Sequence, residues 1–600
     1  MTNSLKLVTT STLLTGSLSI YAGVLLLLLL TASLGAMIEK KSRTRTARKL
    51  ASLKNLLPTA ARIIQDSQES FQNINALRLG DSFVVRGGER FPTDGIVEQG
   101  TSLIEDSVWT GDSSPQTREP GEAVMAGALN LEDTLVVRAT HINSESTLTR
   151  SIATLEHAFA SRLSLDTWVE YLNRLVFPGI VLAAAGIFLI LWSSGLGAFH
   201  ASLLRSIAIA LVGYPLAFRL TTRPVVNAAL WAASREGILI RDARVFEALE
   251  RVNHVVFNKS GTITEGNFEL LGCELVPDFC SLPAWMQANT NNPDSDSLPS
   301  DFPFAMAAPS YEQMFELIGS AEQRSSHPIG IALVNFACER GIPLAEATCT
   351  EIHKGLGVTG IVDGRSMFVG GRRLIESLCV FVDTRTELVA RRWEAEGRTV
   401  VFFGWDGTLR GCLAFGDKVR QHAAELIAEL KRQGIRVHLL SGDAPATSEA
   451  IARQLCAESC RSDLLPCDKA DLIRGLRRRG AVVAMVGHAI DDAPALASAD
   501  ASVAIGSAND WGPTTPSIVL MNEDLGKVSA VIALAKQTMR TVRQNLVWST
   551  TCFVLGLAAA LAGLIHPVAS ALILLASSLC VIANSMRLEA TAHAQLKSEW

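Results

Sequence analysis

The chain has 600 residues, of which 48% are hydrophobic and 19% are charged, and its formal net charge is −5. This length predicts several domains, and the slightly acidic balance gives no reason to expect nucleic-acid binding. The 11 cysteines include no CxxC pair, which argues against a disulfide framework. Cys456, Cys460 and Cys467 are close enough in sequence to hold a soft metal, but this loose spacing favours thiols that bind nothing.

Five apolar segments have about the length of ~20 residues that crosses a bilayer. They cover residues 18–38, 175–192, 203–220, 546–565 and 568–586. A basic cluster in residues 40–49 follows the first segment and places that end in the cytoplasm. The length of the first segment and its trailing basic cluster disfavour a signal peptide, whereas a helical hairpin between Leu5 and Ile38 stays open as an alternative to one helix.

The long polar stretches between these segments predict two kinds of soluble domain. Residues 77–140 alternate short β segments with turns, as in a β-rich domain. Between the third and fourth apolar segments, short apolar strands alternate with helical patterns, which predicts a parallel α/β sheet. These strands are residues 252–257, 400–403, 437–440 and 482–486.

The stretch 257–264 reads Phe-Asn-Lys-Ser-Gly-Thr-Ile-Thr. It resembles the phosphorylation loop of P-type ATPases, in which an Asp followed by Lys-Thr-Gly-Thr receives the γ-phosphate of ATP. Asn258 stands in the position of that Asp, with Lys259 and Thr262 after it. A carboxylate can form an aspartyl phosphate, whereas a neutral amide oxygen is a far poorer nucleophile. The loop therefore predicts the shape of an ion pump without its central reaction.

The resemblance extends over about residues 20–590, and the heavy-metal (type I-B, copper-like) branch matches best. Its motifs here are Gly237–Ile240, Ser326–Pro328, Gly355–Gly357 and Asn545-Leu546. The implied fold is a multi-domain membrane protein with an α-helical bundle of about five transmembrane spans. It adds a β-rich actuator-like domain and an α/β haloacid-dehalogenase-like phosphorylation domain with an inserted α+β nucleotide domain.

The resemblance also implies domain limits, in the order in which the domains of the family follow one another. They are an N-terminal transmembrane segment at 1–40, the actuator-like domain at 41–165, a transmembrane helix pair at 170–225, the phosphorylation-like domain at 245–265 and 400–530, the nucleotide-binding-like domain at 266–399, and a C-terminal transmembrane helix pair at 543–590.

Several family motifs for ATP survive. In the family a His-Pro histidine and a two-glycine loop receive the adenine, and His327, Gly355 and Gly357 match them, because glycine lets backbone approach a ligand closely. Asp443 and Lys469 match the Asp of Thr-Gly-Asp and the lysine that contacts phosphate. The resemblance thus implies ATP as a ligand, although Asp and Gly at strand ends also serve turns.

Other motifs are altered. His488 replaces the first Asp of Gly-Asp-Gly-x-Asn-Asp, which holds Mg²⁺ in the family, and Mg²⁺ prefers oxygen ligands. Asp491, Asp492 and Asp443 remain, so we expect weak Mg²⁺ binding at most. Asp112 stands for the Glu that positions the hydrolytic water; it is one methylene shorter, and a misplacement of about 1 Å can cost on the order of 100-fold in rate.

The predicted ion path is also altered. Copper pumps carry Cys-Pro-Cys in the span before the phosphorylation domain, where this chain has Tyr214, Pro215 and Leu216. The proline kink is kept, and both thiolates, which suit soft metals, are lost. Cys552-Phe553 replaces Tyr-Asn in the fourth span, and Leu574 replaces a methionine in the fifth.

Loss of the nucleophile, a Mg²⁺ ligand and the ion ligands predicts a pseudo-pump that acts as a regulatory, scaffold or assembly subunit. We expect an integral protein of a bacterial inner membrane, with its large domains cytoplasmic and a membrane-protein partner, either a pump or a transport subunit. The alternative is a divergent, active heavy-metal cation-transporting P-type ATPase, which would need another phosphoacceptor. A redundant relic is a third, weaker hypothesis.

Overall fold

The computed structural model of the chain describes residues 54–65, 68–106, 115–194, 199–214, 216–276, 311–325, 327–353, 355–488, 492–506, 516–522 and 524–598, with isolated positions before residue 54. The first predicted span lies outside these residues. The chain forms two compact units, residues 1–251 with 506–511 and 516–600, and residues 252–505 with 512–515.

The first unit contains the predicted β-rich domain. Its larger sheet is antiparallel and has six strands, in the spatial order Gln68–Asn73, Ala60–Gln65, Ser82–Val85, Leu135–Ala139, Gly95–Gln99 and Ala123–Val124. A second sheet has the order Gln116–Arg118, Ser102–Glu105 and Leu129–Asn130. Alternate residues of these strands point inward, and they form an apolar core that includes Ile63, Phe83, Ile104 and Val137, together with Phe91 from a connecting segment.

A buried carboxylate ties this domain to the helix that follows it. Asp94 accepts hydrogen bonds from the Ala126 amide at 2.8 Å and from the Thr147 amide and hydroxyl at 2.6 and 2.9 Å. Thr147 is the first residue of helix Thr147–Ala160. A carboxylate at a helix N-terminus is stabilised by the free amides there, so Asp94 fixes where this helix begins.

Helices make up the rest of the first unit, together with a short antiparallel strand pair, Ile238–Ile240 with Ile518–Leu520. The helices are Thr147–Ala160, Ser164–Ser193, Phe199–Val212, Leu216–Arg219, Arg223–Arg235, Val245–Arg251, Lys527–Leu561 and Pro567–Ser598. Within the described residues, three segments are long and apolar enough to cross a membrane: Arg174–Ser193, Lys527–Leu561 and Pro567–Leu588. Large apolar side chains such as Leu182 and Ile190 are exposed, as expected for helices that face lipid.

The third predicted span, 203–220, is not one continuous helix. Helix Phe199–Val212 ends before Tyr214, whose amide donates to the Leu211 carbonyl at 3.2 Å, and the short helix Leu216–Arg219 follows. A proline lacks the amide hydrogen that continues a helix, and it disfavours helical dihedrals in the residue before it. The kink that the sequence predicts at Pro215 falls at this break, and Pro215 itself lies outside the described residues.

The second unit contains a sheet of five parallel strands. Their spatial order is Ala501–Ile505, Val483–His488, His254–Asn258, Arg436–Leu440 and Ser459–Arg461. Helices Ala423–Arg432, Pro445–Gln454, Pro466–Arg478 and Ala493–Ser498 alternate with these strands along the chain. In helix Ala423–Arg432 the buried positions are Ala423, Leu426, Ile427 and Leu430, the spacing of one apolar helix face. The predicted parallel α/β domain is confirmed.

The inserted domain of the second unit is α+β. Its antiparallel sheet has the order Thr264–Leu275, Thr408–Val419, Thr399–Trp405, Arg365–Gly370, Gly357–Val362 and Thr348–His353, and its helices are Tyr311–Glu322, Pro328–Glu339, Arg372–Ser377 and Thr384–Ala395.

One predicted strand lies in a different sheet from the one that the sequence predicts. Residues 400–403 were assigned to the parallel sheet, but Thr399–Trp405 pairs antiparallel with Thr408–Val419. Asp406 and Gly407 connect the two strands, both with positive φ, which is the two-residue turn that joins antiparallel strands.

Candidate functional site

The site forms where neighbouring parallel strands end at the same edge of the sheet. Strand His254–Asn258 ends at Asn258, its neighbour ends at Leu440 just before Ser441–Asp443, and Val483–His488 ends at His488. Carboxyl ends of parallel strands are the usual place for ligands in such sheets. After Asn258 the chain turns sharply, with Gly261 at φ 70°, a conformation that suits glycine.

Asn258 is the centre of a buried three-residue network. Its Nδ2 donates to Asp492 Oδ2 at 2.7 Å and to the Ser260 carbonyl at 3.2 Å. Its Oδ1 accepts from Lys469 Nζ at 2.9 Å, and the same ammonium donates to Asp492 Oδ1 at 3.0 Å. Because lysine can only donate and a carboxylate can only accept, the chemistry of the two partners fixes which end of the amide faces each.

Asp492 is fully buried, and both of its oxygens are engaged in this network. The His488 amide also donates to Asp492 Oδ2, at 3.1 Å. The family's Mg²⁺ would need oxygen ligands with free lone pairs, whereas here an amide and an ammonium point at the carboxylate. The described side chains therefore do not fit a Mg²⁺ ion between Asn258 and Asp492.

A second buried ion pair lies beside the first. Lys259 is fully buried and pairs with Asp443, which also accepts from the Ser441 hydroxyl at 3.1 Å. Burial by itself would raise the pKa of Asp443, but the Lys259 ammonium and the Ser441 hydroxyl outweigh it and lower that pKa below its usual value. Each lysine of the site is thus matched by one aspartate.

Asp417 closes the far side of the turn. It accepts from the Thr264 hydroxyl and from the Gly266 amide. Burial raises its pKa, and these hydrogen bonds and nearby Lys259 offset part of that shift. Asp417 therefore holds the turn in place.

The other predicted site residues differ in their surroundings. Thr262 is fully buried, and within the described residues its hydroxyl has no hydrogen-bond partner. The same holds for Nδ1 of His488, so neither side chain joins the network around Asn258. Asp112 and Asp491 lie outside the described residues. Tyr214 makes an edge-on ring contact with Phe177 at 5.7 Å.

The predicted adenine-binding residues lie in the inserted domain. His327 caps helix Pro328–Glu339 by accepting from the Ile329 amide at 3.3 Å. A Cβ on Gly357 would lie 2.3 Å from the Val369 carbonyl, and one on Gly355, which has φ 78°, would lie 2.9 Å from Leu465. Packing of the sheet alone therefore requires glycine at 357, whatever the ligand.

Sequence reasoning missed Glu322. This side chain is 5% exposed at the end of helix Tyr311–Glu322, five residues before His327. Burial raises its pKa to about 7, and a hydrogen bond with Ser325 opposes the shift. A glutamate on the apolar face of an amphipathic helix was the available signal, because such a residue is rarely buried without a reason.

Cys456, Cys460 and Cys467, whose loose spacing favours thiols over a metal site, differ in their exposure. Cys456 and Cys467 are exposed and Cys460 is half-buried. In the part of the chain that the structure describes, no three His, Cys, Asp or Glu side chains are grouped so that they could hold a metal ion.

The fold and the site together define a membrane protein with a phosphotransfer-type α/β domain. Family profiles agree: haloacid dehalogenase-like hydrolase matches residues 252–500, and P-type ATPase actuator domain matches residues 55–156. A probable copper-exporting P-type ATPase of Archaeoglobus fulgidus is 32% identical over 94% of this chain and 66% of its own length. A silver exporting P-type ATPase of Salmonella typhimurium is 30% identical over 96% of this chain and 67% of its own.

A solved zinc-transporting PIB-type ATPase in its E2.Pi state matches with TM-score 0.50 and 26% identity, over 90% of this chain and 83% of that one. The chain belongs to the P-type ATPase family, in its heavy-metal type I-B branch. It is an integral membrane protein whose actuator domain and haloacid dehalogenase-like domain are cytoplasmic. The chain spans about two thirds of the length of the curated relatives.

Restoring the family's carboxylate should make the site depend on a divalent cation. In Asn258→Asp, two carboxylates would face each other where the amide now donates at 2.7 Å, and like charges so close resist ionising together. We expect the free energy of unfolding of the variant to fall by about 3 kcal/mol, which lowers its Tm in the absence of divalent ions. Mg²⁺ should restore part of this Tm in the variant and leave the Tm of the wild type unchanged.

The matched control is Asn130→Asp, because Asn130 is also fully buried and hydrogen-bonded but lies in the β-rich domain. It should lose stability without recovery by Mg²⁺. Equal responses of wild type and Asn258→Asp to Mg²⁺ would contradict this reading of the site.

Glu322 should make stability fall as pH rises. Its folded pKa of about 7 lies above the ordinary 4.5, so the folded state binds more protons between these values, and stability is lost across that window. Glu322→Gln should therefore raise Tm relative to wild type at pH 8 and show no such gain near pH 4.5. The exposed Glu312→Gln on the same helix is the control, and a difference that does not change with pH would contradict the assignment.

Proposed function

We propose that this chain is a pseudo-pump. It forms no aspartyl phosphate, moves no ion along the path that copper pumps use, and acts as a regulatory, scaffold or assembly subunit in the membrane. The observation that carries the proposal is the hydrogen-bonded network of Asn258, Lys469 and Asp492, in which the amide occupies the place of the nucleophile.

The amide at position 258 lacks the reactivity that a phosphoacceptor needs. A phosphoacceptor oxygen must approach phosphorus with a free lone pair and a negative charge. Asn258 Oδ1 is neutral and accepts from Lys469 Nζ at 2.9 Å, which withdraws electron density from it. The only side-chain carboxylate bonded to Asn258 is Asp492 among the described residues, and it contacts the amide nitrogen. This arrangement supports an unreactive amide.

The positive charges of the site are also not available to phosphate. Phosphoryl transfer needs metal ions and fixed positive groups to offset the charge of the phosphates. Lys259 and Lys469 are each paired with an aspartate of the site, and the Mg²⁺ position does not fit. ATP binding stays part of the proposal through His327, Gly355 and Gly357, with the nucleotide held in a complex that does not react.

The active alternative draws on the relatives, which are described as copper-exporting, silver exporting and zinc-transporting ATPases. Lys469, Asp443 and Asp492 keep the geometry of a phosphotransfer site, which favours this view. It requires a phosphoacceptor other than Asn258, such as Ser260 or Thr262. Hydroxyl groups form stable phosphoesters, so labelling can separate the two proposals.

Incubation of the purified full-length protein with γ-labelled ATP should give no acid-stable, hydroxylamine-sensitive phosphoprotein. The double variant Asn258→Asp/His488→Asp returns both carboxylates, and we expect it to gain hydroxylamine-sensitive label in the presence of Mg²⁺. Asn258→Asp alone is the matched control for the contribution of His488. Acid-stable label on the wild-type chain would overturn the pseudo-pump proposal in either form. Hydroxylamine-sensitive label would indicate an acyl phosphate, and hydroxylamine-resistant label would indicate a phosphoester on a hydroxyl such as that of Ser260 or Thr262.

A subunit role predicts a stoichiometric partner. Purification of the tagged chain from its native membrane in mild detergent should retain a second membrane protein at fixed ratio. The same ratio should persist in Lys469→Ala, which breaks the site but leaves the membrane segments unchanged. Purification of the chain alone, as a monomer or a homodimer, would contradict the subunit role and leave the labelling result unaffected.

A further inference from the structure

A small cavity with a mostly apolar lining lies among the membrane helices of the first unit. It has a volume of about 20 Å³ and is bordered by the break after helix Phe199–Val212 and by helices Lys527–Leu561 and Pro567–Ser598. Three serines line it, Ser549, Ser570 and Ser577, and they are 2%, 0% and 4% exposed. None of their hydroxyls has a hydrogen-bond partner among the described residues.

These serines differ from others on the same helices. Ser578 and Ser585 each donate to the carbonyl four residues earlier, at 2.8 and 2.7 Å, which is the usual way for a helical hydroxyl to satisfy itself. Away from water an unpaired hydroxyl is costly. Three such hydroxyls around one cavity therefore point to a ligand that bonds to them.

The side chains that line the cavity indicate which class of ligand it can bind. Among the described residues that line the cavity, none is charged and the one thiol is that of Cys552. Phe218 and Phe553 meet edge-on at 5.9 Å and form part of its wall. A cation would have neither an opposite charge nor a set of soft ligands here, so the ligand is neutral and forms hydrogen bonds.

The volume of the cavity limits the size of the ligand. About 10–15 Å³ of such space holds one water molecule, and a buried water typically makes about three hydrogen bonds. Ser570 and Ser577 are seven residues apart, which is roughly 10 Å along a helix, too far for one water to bridge. We propose that this cavity is a binding site for one or two ordered water molecules, held by Ser549, Ser570 and Ser577 in a region that takes no metal ion.

The proposal does not depend on Asn258, but it rests on one part of the proposed function, the loss of the ion path, because Tyr214, Cys552 and Leu574 of that path line the cavity. The test uses the full chain in nanodiscs, treated with a metal chelator, and a density map that shows ordered waters. Density within hydrogen-bond distance of the three hydroxyls is expected. A cavity without density would overturn the proposal.

Stability gives a second readout with a definite sign. If water bonds to the hydroxyls, Ser549→Ala, Ser570→Ala and Ser577→Ala each remove a hydrogen bond and lower Tm, by roughly 2 °C. If the cavity is dry, each change removes an unpaired hydroxyl and raises Tm, which would overturn the proposal. Ser578→Ala is the matched control, because its hydroxyl already has a partner.

Competition for Cu(I) with a chromophoric chelator tests the excluded occupant. Wild type and Cys552→Ser should bind Cu(I) equally. Stoichiometric Cu(I) binding that disappears in Cys552→Ser would show that the cavity takes a soft metal, and would overturn the assignment of a neutral ligand.

Discussion

The hydrogen bond from Asn258 Nδ2 to Asp492 Oδ2 is the interaction on which the phosphotransfer-like site depends. At 2.7 Å it places a donor where the family's chemistry places a second carboxylate. A buried carboxylate is tolerated only when hydrogen bonds or opposite charges satisfy it. Here the amide and Lys469 meet that need from within the chain, and no external cation is required to hold the strand ends together.

The same constraint extends to the neighbouring pair. Lys259 and Asp443 are buried beside the network, where burial would raise the pKa of Asp443 and the adjacent Lys259 ammonium lowers it. With two ammonium and two carboxylate groups the four residues balance. An additional carboxylate at 258 would leave this buried group with a net negative charge, and Coulomb energies at low dielectric are large.

The sequence predicts the kinds of domain correctly because their signals are long and periodic. Turn and pairing geometry were harder to predict. Thr399–Trp405 has the same apolar run as a parallel strand, and only Asp406 and Gly407 reveal the hairpin that makes it antiparallel. The identity of residue 258 could be read directly, but its partners Lys469 and Asp492 lie more than two hundred residues away, and no local pattern indicates such contacts.

The hydrogen bonds of Asn258 and His488 show how each replacement of a family carboxylate is accommodated. A site that merely decays would leave buried polar groups without partners, at a cost of about 1–3 kcal/mol each. Asn258 instead has partners for both of its polar atoms and donates to Asp492 Oδ2, while Lys469 donates to Asp492 Oδ1. His488 differs, since its buried Nδ1 has no partner among the described residues. The polar atoms of Asn258 thus all have partners within the chain, whereas the buried Nδ1 of His488 has none among the described residues. A single change at 258 therefore alters the charge and cation demand of the whole strand edge, and a change at 488 has much less to disturb.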